Sequence, residues 1–155
     1  RILAALREPD PEWGTWLARC RPHPSLVPAL LARAGAAPAP DLLFALAASR
    51  DPRALPILRA VLETRDYVQS GYAAKALGVY GTPEVEEILL AELPGAENSP
   101  QVNMVLALGK IGGERSLGPL RARLEEVRGT YTGAIALERC LGEAIAAIEA
   151  RLRPH

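Results

Sequence analysis

Tyr72-Ala73-Ala74-Lys75-Ala76-Leu77-Gly78-Val79-Tyr80-Gly81 and Asn103-Met104-Val105-Leu106-Ala107-Leu108-Gly109-Lys110-Ile111-Gly112 align residue for residue at an offset of 31, and both close on Ala-Leu-Gly-x-x-Gly. Each run is apolar at helical spacing, stops at a glycine, and is followed by another helical stretch that starts near a proline. Self-similarity at that period marks a stacked supersecondary unit, here a helical hairpin that buries its apolar side against its neighbours. No catalytic, metal or nucleotide motif stands out beside it, so the residues speak to architecture and surface.

Outward from these runs the same punctuation recurs. Upstream, Asp51-Pro52 reads as an N-cap followed by proline, with Leu55, Leu58, Val61 and Leu62 forming a stripe to about Thr64; a partner helix is predicted over about 67–80. Thr82-Pro83 repeats the device ahead of Val85, Ile88, Leu89 and Leu93, residues 94–100 read as a loop, and Gln101 to Ile111 is the partner helix. Gly112-Gly113 ends it; Leu117, Leu120, Leu124 and Val127 mark the next helix, and a last one runs over about 131–152. Towards the N-terminus the spacing predicts helices over 2–6, 13–20 and 25–34, with Asp10 as an N-cap, and Asp41 is read as the cap of a helix ending at Ser49. The expectation is an all-α chain of ten helices in about five hairpins.

Two finer patterns accompany the repeat. Pro24-Ser25-Leu26-Val27-Pro28 matches Pro52-Arg53-Ala54-Leu55-Pro56, and Gly118-Pro119-Leu120 echoes it, which predicts tight or bent helix starts, because proline in a helix interior costs about 3 kcal/mol. Gly78, Gly109 and Gly142 recur in successive second helices. Close helix approach is the reason expected for all three.

Composition narrows the function classes. The chain has 155 residues, 49% hydrophobic, 18 basic against 18 acidic, and a pI near 7.0. That is one domain with a sizeable core and no surplus charge for neutralising phosphates or holding an anionic membrane. No Lys or Arg falls between Ala76 and Gly109, while Glu84, Glu86, Glu87, Glu92 and Glu97 do. Cys20 and Cys140 are too far apart in sequence to suggest a disulfide framework, so a reducing, cytoplasmic setting is expected. No apolar run approaches a membrane span. Cys20 and His23, with only Cys140 and His155 besides, make a weak metal set, and no metal or cofactor is expected.

Asp51-Pro52-Arg53-Ala54-Leu55-Pro56-Ile57-Leu58 together with Ala73-Ala74-Lys75-Ala76-Leu77-Gly78-Val79-Tyr80-Gly81 resembles the HEAT repeat, in particular the short bacterial variety found in phycobilisome-lyase-like proteins. The likeness is strongest over 41–128, moderate over 24–40 and 129–152, and weak over 1–23. It implies an α-solenoid (an α-α superhelix), and for residues 1–155 a single HEAT-like helical-repeat domain. Because Ile2 to Leu6 already reads as helix after Arg1, the chain is expected to be a segment of a larger parent. Where the family often carries Val-Arg at the start of the second helix, this chain has Gln69-Ser70 and Pro100-Gln101, so an inter-repeat arginine ladder is not expected.

The resemblance implies a non-catalytic scaffold that binds a protein, a peptide or another domain of the parent through the concave face formed by the second helices. With Leu77 and Ala73 turned inward, a wheel of about 100° per residue turns Val68, Tyr72, Lys75 and Val79 outward. The repeat offset adds Ser99, Asn103, Leu106 and Lys110 in the next unit, and Asp10, Asp41, Phe44 and Ala48 before it. One row across the face then reads Trp13, Phe44, Lys75, Leu106 and Arg139. Aromatic and aliphatic anchors beside Lys and Arg suit a protein partner. A blander account is that Trp13, Phe44 and Leu106 cover neighbouring helices. Polar replacement of Phe44 and Leu106 is expected to leave the fold intact.

Other clusters read more simply. Arg121 and Glu125 are spaced as an i,i+4 pair on a solvated face that also carries Arg123, Glu126 and Arg128. Glu84, Glu86 and Glu87 either meet a basic partner or merely favour the dipole at a helix start. Glu138, Arg139, Glu143, Glu149 and Arg151 read as the solvated side of a capping helix. The competing class is a HEAT-like enzyme or enzyme subunit, bilin-lyase-like or DNA-glycosylase-like. A glycosylase needs a basic groove with a carboxylate beside aromatics, for which Asp41 near Phe44 and Trp13 is the nearest approach; neither nucleic acid nor membrane is the expected partner.

Overall fold

The computed structural model of the chain describes residues 23–35, 38–96, 98–128 and 135–153. Among them lie eight α-helices and no strand: α1 (Val27–Arg33), α2 (Pro40–Ser49), α3 (Leu55–Glu63), α4 (Gln69–Tyr80), α5 (Pro83–Glu92), α6 (Asn98–Ile111), α7 (Glu114–Val127) and α8 (Ile135–Leu152). They pair in chain order as four hairpins. The helices expected over 2–6 and 13–20, with Asp10 and Trp13, lie outside the described residues. No helix among the described residues is long and apolar enough to cross a membrane.

Local chemistry sets the helix ends. Pro24–Leu26 and Pro52–Ala54 are single 3-10 turns leading into α1 and α3, the tight starts that the doubled prolines predict. Pro28 and Pro56 then fall in the first turn of their α-helices, where an N–H has no intrahelical partner to lose. His23 and Asp51 occupy the same cap position, their side chains accepting the backbone N–H of Ser25 at 3.3 Å and Arg53 at 2.9 Å. Pro119 differs: α7 begins at Glu114, three residues before the apolar stripe suggests, so this proline lies inside the helix.

Several boundaries shift from the sequence reading. Asp41 is not a cap, since α2 starts at Pro40 after Ala39, and it lies in the first turn. Thr82 precedes α5 but its hydroxyl makes no capping bond. α4 begins at Gln69 because Asp66, not a residue at 67, caps it: its Oδ1 accepts the N–H groups of Val68 at 3.0 Å and Gln69 at 2.8 Å. The loop expected over 94–100 is shorter, because α6 already starts at Asn98.

Two helices end in a left-handed residue, and a third is followed by one just past its cap. Gly81 closes α4 at φ 66°, the conformation glycine adopts freely. Arg50 after α2 and Arg65 after α3 stand at φ 53° and 55°, where a side chain costs about 1–2 kcal/mol.

The hairpins stack in two layers of unequal tightness. Second helices α2, α4, α6 and α8 pack on one another in sequence, and the α4/α6 contact is the most extensive among the described residues. First helices α3, α5 and α7 touch far less. A short motif explains the tight side: Ala45-Leu46-Ala47, Ala76-Leu77-Gly78, Ala107-Leu108-Gly109 and Ala144-Ile145-Ala146 recur along the second helices. Leu46, Leu77 and Leu108 are fully buried, each contributing about 1.5–3 kcal/mol of burial free energy, and the small residues let backbones approach. A Cβ on Gly78 would lie 2.9 Å from the Ala107 Cβ, and one on Gly109 would lie 3.1 Å from the Ala144 Cα.

Those two contacts also fix the register of the last unit. Gly78 and Gly109 are equivalent, so Ala107 and Ala144 are too, 37 residues apart instead of 31. Gly142 is therefore not the third member of the glycine series. A Cβ there would meet nothing within 4 Å.

Candidate functional site

The second-helix layer places the predicted face residues as follows. Lys75, Leu106 and Lys110 are exposed, and Val68 is exposed just ahead of α4. Asp41, Phe44, Tyr72 and Val79 are half-buried, with Phe44, Tyr72 and Val79 packed against the core. Lys75 holds its ammonium over the Tyr72 ring, 5.7 Å from the centroid, which spaces a cation along the α4 ridge. Trp13 lies outside the described residues.

Three placements depart from the wheel. Asn103 is buried, 7% exposed, because its amide turns between the helices and donates to the Gly71 carbonyl at 3.3 Å, where the missing glycine side chain leaves room. Ala48 is also buried. Arg139 is exposed, but the six-residue register shift puts Glu143, not Arg139, beside Leu106; Arg139 sits one turn away and approaches Glu143 at 3.8 Å. The row across the layer is Phe44, Lys75, Leu106 and Glu143. Leu106 is its one large exposed hydrophobe, 41% accessible.

Charged side chains between successive helices tie the hairpins together. Glu86 of α5 accepts the backbone N–H of Gly113 at 2.8 Å and the Ser116 hydroxyl at 2.6 Å, so it caps α7 from another helix. Glu87 pairs with Arg115 at 2.9 Å on the surface. Arg121 pairs with Glu149 of α8 at 2.6 Å rather than with Glu125, which takes Arg128 at 2.7 Å. Arg151 donates to the Gly109 carbonyl at 2.7 Å and the Gly112 carbonyl at 2.8 Å, closing the end of α6. In place of a ladder arginine, the buried Gln101 accepts from Arg123 of α7 at 3.3 Å. Apart from the Glu125–Arg128 pair, three residues apart in sequence, none of these contacts has a local sequence signal, because each depends on how far apart two helices lie.

Two recesses open away from the second-helix face. A groove of about 530 Å³ lies between α3 and α5, lined by Leu55, Pro56, Arg59, Glu84, Ile88 and Glu92. A cleft of about 380 Å³ lies at the edge where the turn between α3 and α4 meets the turn between α5 and α6. Cys140 is a free, buried thiol, and no three His, Cys, Asp or Glu side chains group as a metal site among the described residues.

No curated protein and no solved structure matches the chain. The family model described as PBS lyase HEAT-like repeat matches residues 41–64, from the first turn of α2 to the end of α3. An all-helical chain of stacked hairpins thus carries, over 41–64, a HEAT-like repeat.

Proposed function

We infer that the chain is a section of an α-solenoid acting as a non-catalytic scaffold, and that it binds a protein or peptide, or another domain of its parent, across the second-helix face in a reducing, cytoplasmic setting. One observation carries this reading: the second helices lie close together on their Ala-Leu-Gly ladder while the first helices stand apart. Stacked units that are closer on one side curve towards it, and the inner side of such a curve gathers side chains from several repeats around a partner. On that side the exposed residues are not uniformly polar. Leu106 stands between Lys75 of α4 and Lys110 one turn along α6, an apolar anchor with cationic neighbours.

The test is retention of a partner from the native host by the wild-type chain beside a Lys75→Glu, Leu106→Gln variant, with the captured protein identified and rebound in purified form. Loss of binding by a variant with unchanged helicity and melting temperature is expected. Equal binding by both would rule out this face.

A further inference from the structure

The cleft at the turn edge draws together two residues that are unfavourable where they stand. Arg65 holds a left-handed backbone at φ 55°, a conformation that glycine takes at the equivalent end of α4. Glu92 is the last residue of α5, a carboxylate at the helix end that favours cations. Both line this cleft, Glu92 being shared with the groove between α3 and α5, yet neither makes an ion pair among the described residues. The Arg65 guanidinium lies on Gly95, where a Cβ would come 3.0 Å from the Nη2. Residues that break a local preference and converge on one recess are what a binding site leaves behind in a fold.

The rest of the cleft is apolar or already committed. Leu62, Pro100 and Met104 are buried and form the floor; the Ser70 hydroxyl donates to the Asp66 carbonyl; and the Tyr67 ring stands 60% exposed at the rim. An unpaired cation and an unpaired carboxylate over an apolar floor match a ligand that carries both charges and one apolar side chain. We propose that this cleft binds a zwitterionic amino acid or short peptide, with the carboxylate on Arg65, the ammonium on Glu92 and the apolar side chain against Met104. The second-helix face plays no part in it, so the two readings stand or fall separately. The cleft's volume falls within the range of small-ligand sites.

Met104 is the chain's single methionine, so [methyl-13C]methionine labelling gives one resonance on the floor of the cleft, assigned by its loss in Met104→Leu. The probes are leucine, leucyl-leucine, N-acetyl-leucine, leucinamide and isoamyl alcohol, titrated into the full chain. Leucine or the dipeptide is expected to shift the resonance saturably, and the tighter of the two tells a free amino acid from a peptide. N-acetyl-leucine and leucinamide, each lacking one charge, should bind about tenfold more weakly, as should the zwitterion to Arg65→Gln or Glu92→Gln, since each loses one charge-assisted pair. Saturation by isoamyl alcohol at the same concentration as leucine, equal binding of the blocked analogues, or no saturable shift with any probe would overturn the proposal. The analogue series uses the wild-type chain, so the result holds even if a variant fails to fold.

Discussion

Glu86 accepts the backbone N–H of Gly113 at 2.8 Å, a carboxylate of α5 serving as the N-terminal cap of α7, 27 residues further along the chain. The free N–H groups at a helix start and the positive end of its dipole both favour an anion there. The cap residue itself is glycine, with no side chain to offer. One side chain thus satisfies a helix end and locks two successive hairpins at a set distance.

Glu86→Ala is therefore expected to lower the unfolding free energy by about 1–3 kcal/mol, because it leaves the Gly113 amide and the Ser116 hydroxyl without their acceptor. Glu86→Gln should fall between, since an amide oxygen still accepts but carries no charge. Glu87→Ala next door, which breaks only an exposed pair with Arg115, should cost at most about 1 kcal/mol. Urea titration of the three variants checks the order.

The glycines of the second helices divide into two kinds. Alanine is about 1 kcal/mol better than glycine in a helix interior, and Gly142→Ala should gain about that much because a Cβ there meets nothing. At Gly78 the new methyl would lie 2.9 Å from the Ala107 Cβ, and at Gly109 it would lie 3.1 Å from the Ala144 backbone. Overpacking costs about 1–3 kcal/mol, so Gly78→Ala and Gly109→Ala should lower the melting temperature despite the better propensity, while Gly142→Ala raises it.

These glycines also show how far the sequence carried. The offset of 31 sets the register of α4 against α6 correctly, because both units have the same length, and it leaves Lys75, Leu106 and Lys110 exposed as the wheel requires. It fails at α8, where six extra residues between Ala107 and Ala144 move Gly142 off the ladder and Arg139 out of the row. Caps such as Asp51 are legible because donor and acceptor lie two residues apart. Asn103 was not, since its burial depends on the absence of a side chain at Gly71 in another helix. Phe44 follows the same logic: an aromatic placed outward by periodicity packs partly into the core, so its polar replacement is expected to lower the melting temperature more than Leu106→Gln does.

Asp51 gives a pH signature. The Arg53 side chain donates to its carboxylate at 2.8 Å and the Arg53 backbone N–H at 2.9 Å, and these bonds lower its pKa to about 2. A carboxyl whose pKa is lower folded than unfolded binds its proton more readily in the unfolded chain, so its stabilising contribution is complete above the unfolded value, near 3.9, and fades as pH falls towards about 2. Asp51→Ala should melt below the wild type at pH 6, and the gap should narrow steadily from about pH 4 downwards. Melting curves from pH 6 to pH 2 for the two chains read this directly; a gap that stays constant over that range would contradict it.

Arg151 closes the other end of the same stack. Its two terminal nitrogens reach the carbonyls of Gly109 and Gly112 at 2.7 and 2.8 Å, so one guanidinium from the last turn of α8 satisfies two acceptors at the end of α6 and places a cation at the negative end of that helix. Arg151→Ala is expected to cost about 1–3 kcal/mol, because two carbonyls lose a charged donor. Arg151→Lys should recover at most part of it, since an ammonium is a point donor without the planar fork that spans both oxygens. High salt separates the two contributions: in 1 M NaCl, where the screening length falls to about 3 Å, the difference between wild type and Arg151→Ala should shrink but persist, because screening weakens the charge and leaves the hydrogen bonds.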